Sequence, residues 1–226
     1  MIIYVNGDSH SAAGEAMNSY CFAKDDPKYW ALGREPHPDN IAVSYGKLIA
    51  DRLGAELHVG AESASSNDRI IRTTNKYLKT YRPDLIIIGW STWEREEFLH
   101  NKVYWQVNAG GVGEDWPDSI KIKYAEWIKN VDPIEKEQEN FLKIWKFNYR
   151  LRKIPHLFFN CYLPFTYTEQ LDWGDNYINP YDKNSTYFYW LKKQGFKTVN
   201  PHSYHYGPDG HAAWSEHLMP YLTKLL

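Results

Sequence analysis

Two stretches far apart in the chain hold the residue types that acyl chemistry requires. Near the start stands Gly7-Asp8-Ser9-His10, and near the end His202-Ser203-Tyr204-His205-Tyr206-Gly207-Pro208-Asp209-Gly210-His211. A serine attacks an ester only when a neutral imidazole takes its proton and hydrogen-bond donors meet the oxyanion that develops. Ser9 is the candidate nucleophile, and His205 or His211 the candidate base. Donors are sought in the small, polar segments Ala64-Ser65-Ser66-Asn67 and Gly89-Trp90-Ser91-Thr92. Each feature also has a plainer explanation. Asp8 and Ser9 are good helix-cap residues, His10 suits a local hydrogen bond, and His211 and His217 fit on or near the surface of a terminal helix. The histidines lack an i, i+4 pair or a carboxylate at ligand spacing, so neither a metal nor a cofactor is expected.

Elements must carry these residues to one place. Ile2, Ile3 and Val5 describe a buried strand that stops at Gly7, so Ser9 sits at a strand end, where open α/β sheets bind ligands. Asp39 is expected to cap an amphipathic helix through Ile41, Tyr45, Leu48, Ile49 and Leu53 that stops at Gly54. A strand at Glu56-Leu57-His58-Val59 follows. Ile70, Ile71, Thr74, Tyr77 and Leu78 then recur at helical spacing. Leu85-Ile86-Ile87-Ile88 is apolar throughout, as befits a strand covered on both faces. Ser119 to Lys153 reads as helix broken near Asp132-Pro133, Pro155 to Asn160 as a fourth strand, and Phe196 to Val199 as a fifth edge element. A short helix over Tyr187 to Gln194 and a terminal one from Pro208-Asp209 complete the pattern. Residues 12–19 offer the start of a helix. Asp25-Asp26-Pro27 and Pro36-His37-Pro38 mark a loop insertion near 18–38, and Gly110-Gly111, Gly113 and Pro117 another near 101–118. Strands alternating with helices imply a parallel sheet with right-handed crossovers, in a single domain over residues 1–226.

Composition narrows the partners. With 26 Lys plus Arg against 28 Asp plus Glu the net charge is −2, which gives no field to recruit nucleic acid or an acidic membrane. No apolar window approaches the roughly 20 residues of a membrane span, and the N-terminus lacks the features of a signal peptide, so a soluble, cytoplasmic or virion-associated protein is expected. Two cysteines, Cys21 and Cys161, make no disulfide framework. Ten Trp, 18 Tyr and 9 Phe are many for 226 residues; most are assigned to packing, and some to a sugar or acyl site.

Gly7-Asp8-Ser9 after the first strand, together with a histidine close to the final helix, resembles the SGNH (GDSL) hydrolase family. The likeness extends over most of the chain as four short blocks in the family's order. It implies a flavodoxin-like three-layer α/β/α fold with a parallel sheet of about five strands. It also implies a serine esterase or acyl-transfer activity on an acyl ester, acetyl on a carbohydrate being the expected substrate. The first block maps its nucleophile and one oxyanion N–H onto Ser9. The second, whose glycine N–H faces the oxyanion, falls on Ala64-Ser65-Ser66-Asn67, with Ala64 or Ser65 as donor. The third, normally Gly-x-Asn, is Gly89-Trp90-Ser91 here; Ser91 takes the asparagine's place, with Asn67 or Thr92 as alternatives. The fourth, Asp-x-x-His before a Gly-His helix start, places the base at His205 and puts His202 where the acid belongs. The competing register uses Asp209 and His211 as acid and base. Trp90, Trp93 and Arg95, which follow the third strand, are expected over the site, the rings stacking on sugar; packing of the loop and a pairing of Arg95 with a glutamate are the alternative. The departures in three of the four blocks leave a second reading, a catalytically silent SGNH-fold binding or structural module of a virion or surface assembly. A nucleotide-binding flavodoxin-like protein is disfavoured, since no glycine-rich phosphate loop follows the first strand.

Overall fold

The structure, a computed structural model, describes residues 1–24, 32–108 and 116–226. Its centre is a parallel sheet in the order β2-β1-β3-β6, formed by β1 (Ile2–Gly7), β2 (Glu56–Val59), β3 (Leu85–Trp90) and β6 (His156–Asn160). Registers such as Val5 opposite Val59 and Ile87, and Ile88 opposite Phe158, bring the ends of β1 and β3 level. Side chains alternate across a strand, and each face finds its own helices. Ile3, Val5, Ile87, Leu157 and Phe159 pack under α2 (Tyr45–Arg52), α6 (Tyr187–Lys193) and α7 (Pro208–Leu225). Tyr4, Ile86, Ile88, Trp90 and Phe158 pack under α3 (Asn67–Tyr77) and α5 (Pro133–Leu151). The result is a three-layer α/β/α sandwich, as expected.

Several local expectations are corrected. The sheet has four strands among the described residues, because residues 196–199 supply only an isolated antiparallel bridge, Thr198 to Tyr206. The helix expected from Asp39 is split in two. His37 caps α1 (Pro38–Ala42), and Ser44 caps α2 by accepting from the Lys47 N–H at 3.1 Å, so Asp39 is not the cap. Residues 12–19 form turns and bends, with no helix. The helical region breaks where predicted, between α4 (Asp118–Asn130) and α5, since Asp132 accepts from the Ile134 and Glu135 N–H groups and Pro133 opens the new helix.

The expected loop at 101–118 contains a strand. β4 (Arg95–His100) and β5 (Val103–Asn108) pair as an antiparallel hairpin outside the main sheet. Arg72 of α3 grips it through two bonds to Glu97, at 2.8 and 2.6 Å, and lies 3.7 Å from the Tyr104 ring centre. Lys136 of α5 holds Glu96, and Val107 packs with Trp116 and Ile120 against α4. Asp25-Asp26-Pro27, Gly110-Gly111 and Gly113 lie outside the described residues. No helix among the described residues is long and apolar enough to cross a membrane. Cys21 and Cys161 are free and buried.

Candidate active site

Close packing at the end of β1 explains how the serine is delivered. A Cβ on Gly7 would stand 2.2 Å from the Ser11 hydroxyl and 2.7 Å from the Gly89 carbonyl, so only glycine lets the chain turn here. Ser11 is in turn held by the Tyr45 hydroxyl at 2.9 Å. The turn closes through Ala12 N–H to the Asp8 carbonyl and Gly14 N–H to the Ser9 carbonyl, at 2.9 and 2.8 Å. Ser9 then lines a cavity of about 520 Å³ together with His205, Glu15, Ala64, Arg95 and Gln106, among others.

His205 has a carboxylate partner. Its Nδ1 donates to Oε2 of Glu15 at 2.6 Å, and the Ser203 hydroxyl donates to the same oxygen at 2.6 Å. The His205 N–H bonds Ser203 Oγ at 3.0 Å, and the His205 carbonyl accepts from Val199 at 2.9 Å, so the imidazole is fixed from both sides. The bond from His205, helped by Ser203, holds the Glu15 carboxyl below its ordinary range against the opposing effect of burial. Burial pushes His205 down, while the Glu15 bond opposes that shift. A neutral ring with Nδ1–H on a carboxylate leaves Nε2 as the basic nitrogen, which is what a general base requires. Glu15 itself has φ of +61°, a left-handed conformation that an L residue enters at a cost of roughly 1 kcal/mol or more. The position the family gives its aspartate, His202, is exposed, and its N–H donates to Asn200 Oδ1.

A second carboxylate and imidazole lie beside this pair. Buried Asp8 accepts from both His10 N–H and His10 Nδ1 at 3.0 Å, and from Arg95 Nη1 at 3.2 Å. Burial would raise the Asp8 carboxyl, but His10 and Arg95 prevail and hold it far below the usual carboxylate range. Asp8, His10 and Cys161 offer ligand atoms within 4.8 Å of one another. The Arg95 cation already balances Asp8, and burial keeps the Cys161 thiol protonated, while the buried Nε2 of His10 has no hydrogen-bond partner among the described residues.

Around this centre the fold is similar to those of solved structures. It is similar to TesA over 100% of both chains, with TM-score 0.54 and 12% identity. It is also similar to the psychrotrophic esterase EstA from Pseudoalteromonas sp., in a form inhibited by monoethylphosphonate, over 99% of this chain and 97% of that one, with TM-score 0.50 and 13% identity. The chain has the SGNH hydrolase fold. No protein-family model matches it, and no curated protein matches it by sequence.

The SGNH blocks fall around the cavity unevenly. Ser9 and Ala64 line it, and among the described residues neither backbone N–H has a hydrogen-bond partner. Ala64 adopts φ of +68°, the left-handed geometry for which the family's second block uses glycine. Ser65 is corrected as a donor: its N–H and its hydroxyl both bond the Glu62 carbonyl, at 3.2 and 2.7 Å. Asn67 is also corrected. Its amide spans Ser91, accepting from the Ser91 N–H at 2.9 Å and donating to the Ser91 carbonyl at 3.1 Å, so it positions the third block from behind. The Ser91 hydroxyl accepts from Arg95 at 3.1 Å and is not part of the cavity wall, whereas Thr92 and Arg95 are.

Two further expectations fail on burial. Trp90 is fully buried, edge-on to Phe147 and Phe158, and cannot stack on a sugar; Trp93 is not among the lining residues either. The aromatic wall is instead Tyr162 and Tyr204, whose ring centres lie 5.5 Å apart. His211 is buried in the core, its Nδ1 accepting from the Tyr45 N–H at 3.3 Å and its Nε2 directed at the Tyr187 hydroxyl at 3.4 Å. Burial pushes it down to about 3, and Asp209 turns back onto the Gly210 N–H, so the Asp209-His211 pair is not the acid and base. The sequence also missed Glu15 and Gln106, since neither belongs to a motif.

Proposed function

We propose that this chain is a serine ester hydrolase or acyl-transfer enzyme in which Ser9 attacks the acyl carbon, His205 takes the serine proton and Glu15 orients and stabilises His205. The bond from His205 Nδ1 to Glu15, in the cavity that Ser9 lines, carries the reading. The backbone N–H groups of Ser9 and Ala64 are the oxyanion donors, with Thr92 or Arg95 nearby in the third block's place. In the first half-reaction the serine oxygen bonds the carbonyl carbon while its proton passes to His205 Nε2. His205 then returns that proton to the leaving alcohol, and a water or acceptor alcohol releases the acyl group by the reverse sequence.

The substrate suggested is an acetyl ester on a carbohydrate. A cavity of about 520 Å³ suits a ligand of one or two sugar rings, and Tyr162 and Tyr204 face it beside polar groups of the hairpin. Hydrolysis of p-nitrophenyl acetate by wild type and Ser9→Ala tests the chemistry. The expected outcome is turnover that falls by roughly 10³-fold or more in the variant. Equal rates, or none in either protein, would leave the silent binding module as the better reading, which the engagement of the Ser91 hydroxyl by Arg95 favours.

A further inference from the structure

A polar side chain is buried in the hairpin wall of the cavity. Gln106 is 1% exposed and lines the cavity that holds Ser9 and His205. Its Nε2 and Oε1 are both buried, and neither has a hydrogen-bond partner among the described residues. The environment explains its placement. Alternation along β5 sends Trp105 and Val107 towards α4, where they pack with Trp116 and Ile120, and sends Gln106 and Asn108 to the cavity side. Burying a primary amide with neither its donor nor its acceptor engaged destabilises a protein, and a leucine or methionine would fill the same volume without that loss. An amide left unpaired in the wall of a cavity has its donor and acceptor available to a ligand.

We infer that Gln106 determines substrate specificity by binding a vicinal diol of the carbohydrate, its Oε1 accepting from one hydroxyl and its Nε2 donating to the neighbouring one. The inference rests on the proposed ester chemistry for its biological setting, but the contact itself is a matter of binding. A plain acyl chain would satisfy neither the donor nor the acceptor of the amide. Two adjacent sugar hydroxyls match its donor and acceptor, which lie side by side on one planar group. The Tyr162 and Tyr204 rings add the apolar face that sugar rings stack on.

Binding of methyl β-xylopyranoside, and of its 2,3-di-O-methyl analogue, to the inert Ser9→Ala protein and to Ser9→Ala/Gln106→Leu tests this by saturation-transfer NMR titration. The Ser9→Ala protein is expected to prefer the diol by about tenfold or more, and the added Gln106→Leu to remove that preference. Gln106→Leu alone is expected to keep or raise the urea midpoint, whereas a structural amide would lower it. In turnover, the ratio of kcat/KM for a xyloside acetate with a free diol over its O-methylated counterpart falls towards one in Gln106→Leu, through KM. A diol preference unchanged by Gln106→Leu, no preference in Ser9→Ala, or a lowered urea midpoint would overturn the inference. Absence of ester turnover in wild type alongside a Gln106-dependent diol preference would sink the hydrolase reading and leave this one standing.

Discussion

At the scale of single residues the structure's main addition is Glu15. Ser9 and His205 were legible as candidates because Ser9 follows a strand and His205 precedes the last helix, both matters of local order. Glu15 was not, because a carboxylate six positions after the serine has no motif, and only the folded loop brings it 2.6 Å from an imidazole that the sequence places 190 residues away. Glu15→Gln is expected to lower kcat by roughly 10²–10⁴-fold, since the amide no longer stabilises the imidazolium. The pH profile supplies the discriminating readout. Burial lowers the His205 ordinary value of 6.5, so the wild-type acid limb of kcat/KM should fall below pH 6.5. Glu15 opposes that shift, so its loss should move the limb lower still, a change that mere loosening of the loop would not produce. Ala64→Gly probes the other unusual residue. It relieves a left-handed alanine while freeing the unfolded chain, and the net expected gain is about 0.5–1 kcal/mol in urea unfolding.

At the scale of elements, β1, β2, β3, β6 and the helices under them were readable from apolar runs and helical spacing, as was the break at Pro133. Trp90 was misplaced because it was taken for the first residue of a loop. It is the last residue of β3, in register with Asn160, and alternation carries it to the same face as Ile86 and Ile88. The hairpin was missed for a different reason. Its two turn residues, Asn101 and Lys102, have φ of +48° and +65°, the left-handed pair a tight hairpin needs, but Lys102 is not the glycine that signals it. Charged Arg95, Glu96 and Glu97 further disguised β4, since their partners are on α3 and α5 and in Asp8. Because Arg72 is a principal tie between the hairpin and α3, Arg72→Met is expected to speed amide exchange across β4 and β5 several-fold. Global stability should fall by only about 1 kcal/mol, so exchange measured by mass spectrometry separates a local loosening from general unfolding.

For the molecule as a whole, buried histidines tie stability to pH. His211 stays neutral inside the fold with a value of about 3, whereas an unfolded chain protonates it near 6.5. Its contribution is therefore complete above pH 6.5 and is lost progressively as pH falls towards 3, at about 1.4 kcal/mol per pH unit. Urea unfolding at pH 7, 6 and 5 should show stability declining on acidification, and His211→Asn should reduce that slope by up to one proton. No change in slope would mean that His211 is accessible to protons in the native state. The placement of Glu15 has a consequence for finding related chains. In the proposed assignment, with nucleophile and acid on one short loop, the segment before the last helix has to supply only the histidine, and its other positions are released from the Asp-x-x-His pattern. A pattern search built on that pattern passes over a chain like this one, whereas Gly-Asp-Ser-x5-Glu joined to a distant histidine retrieves it.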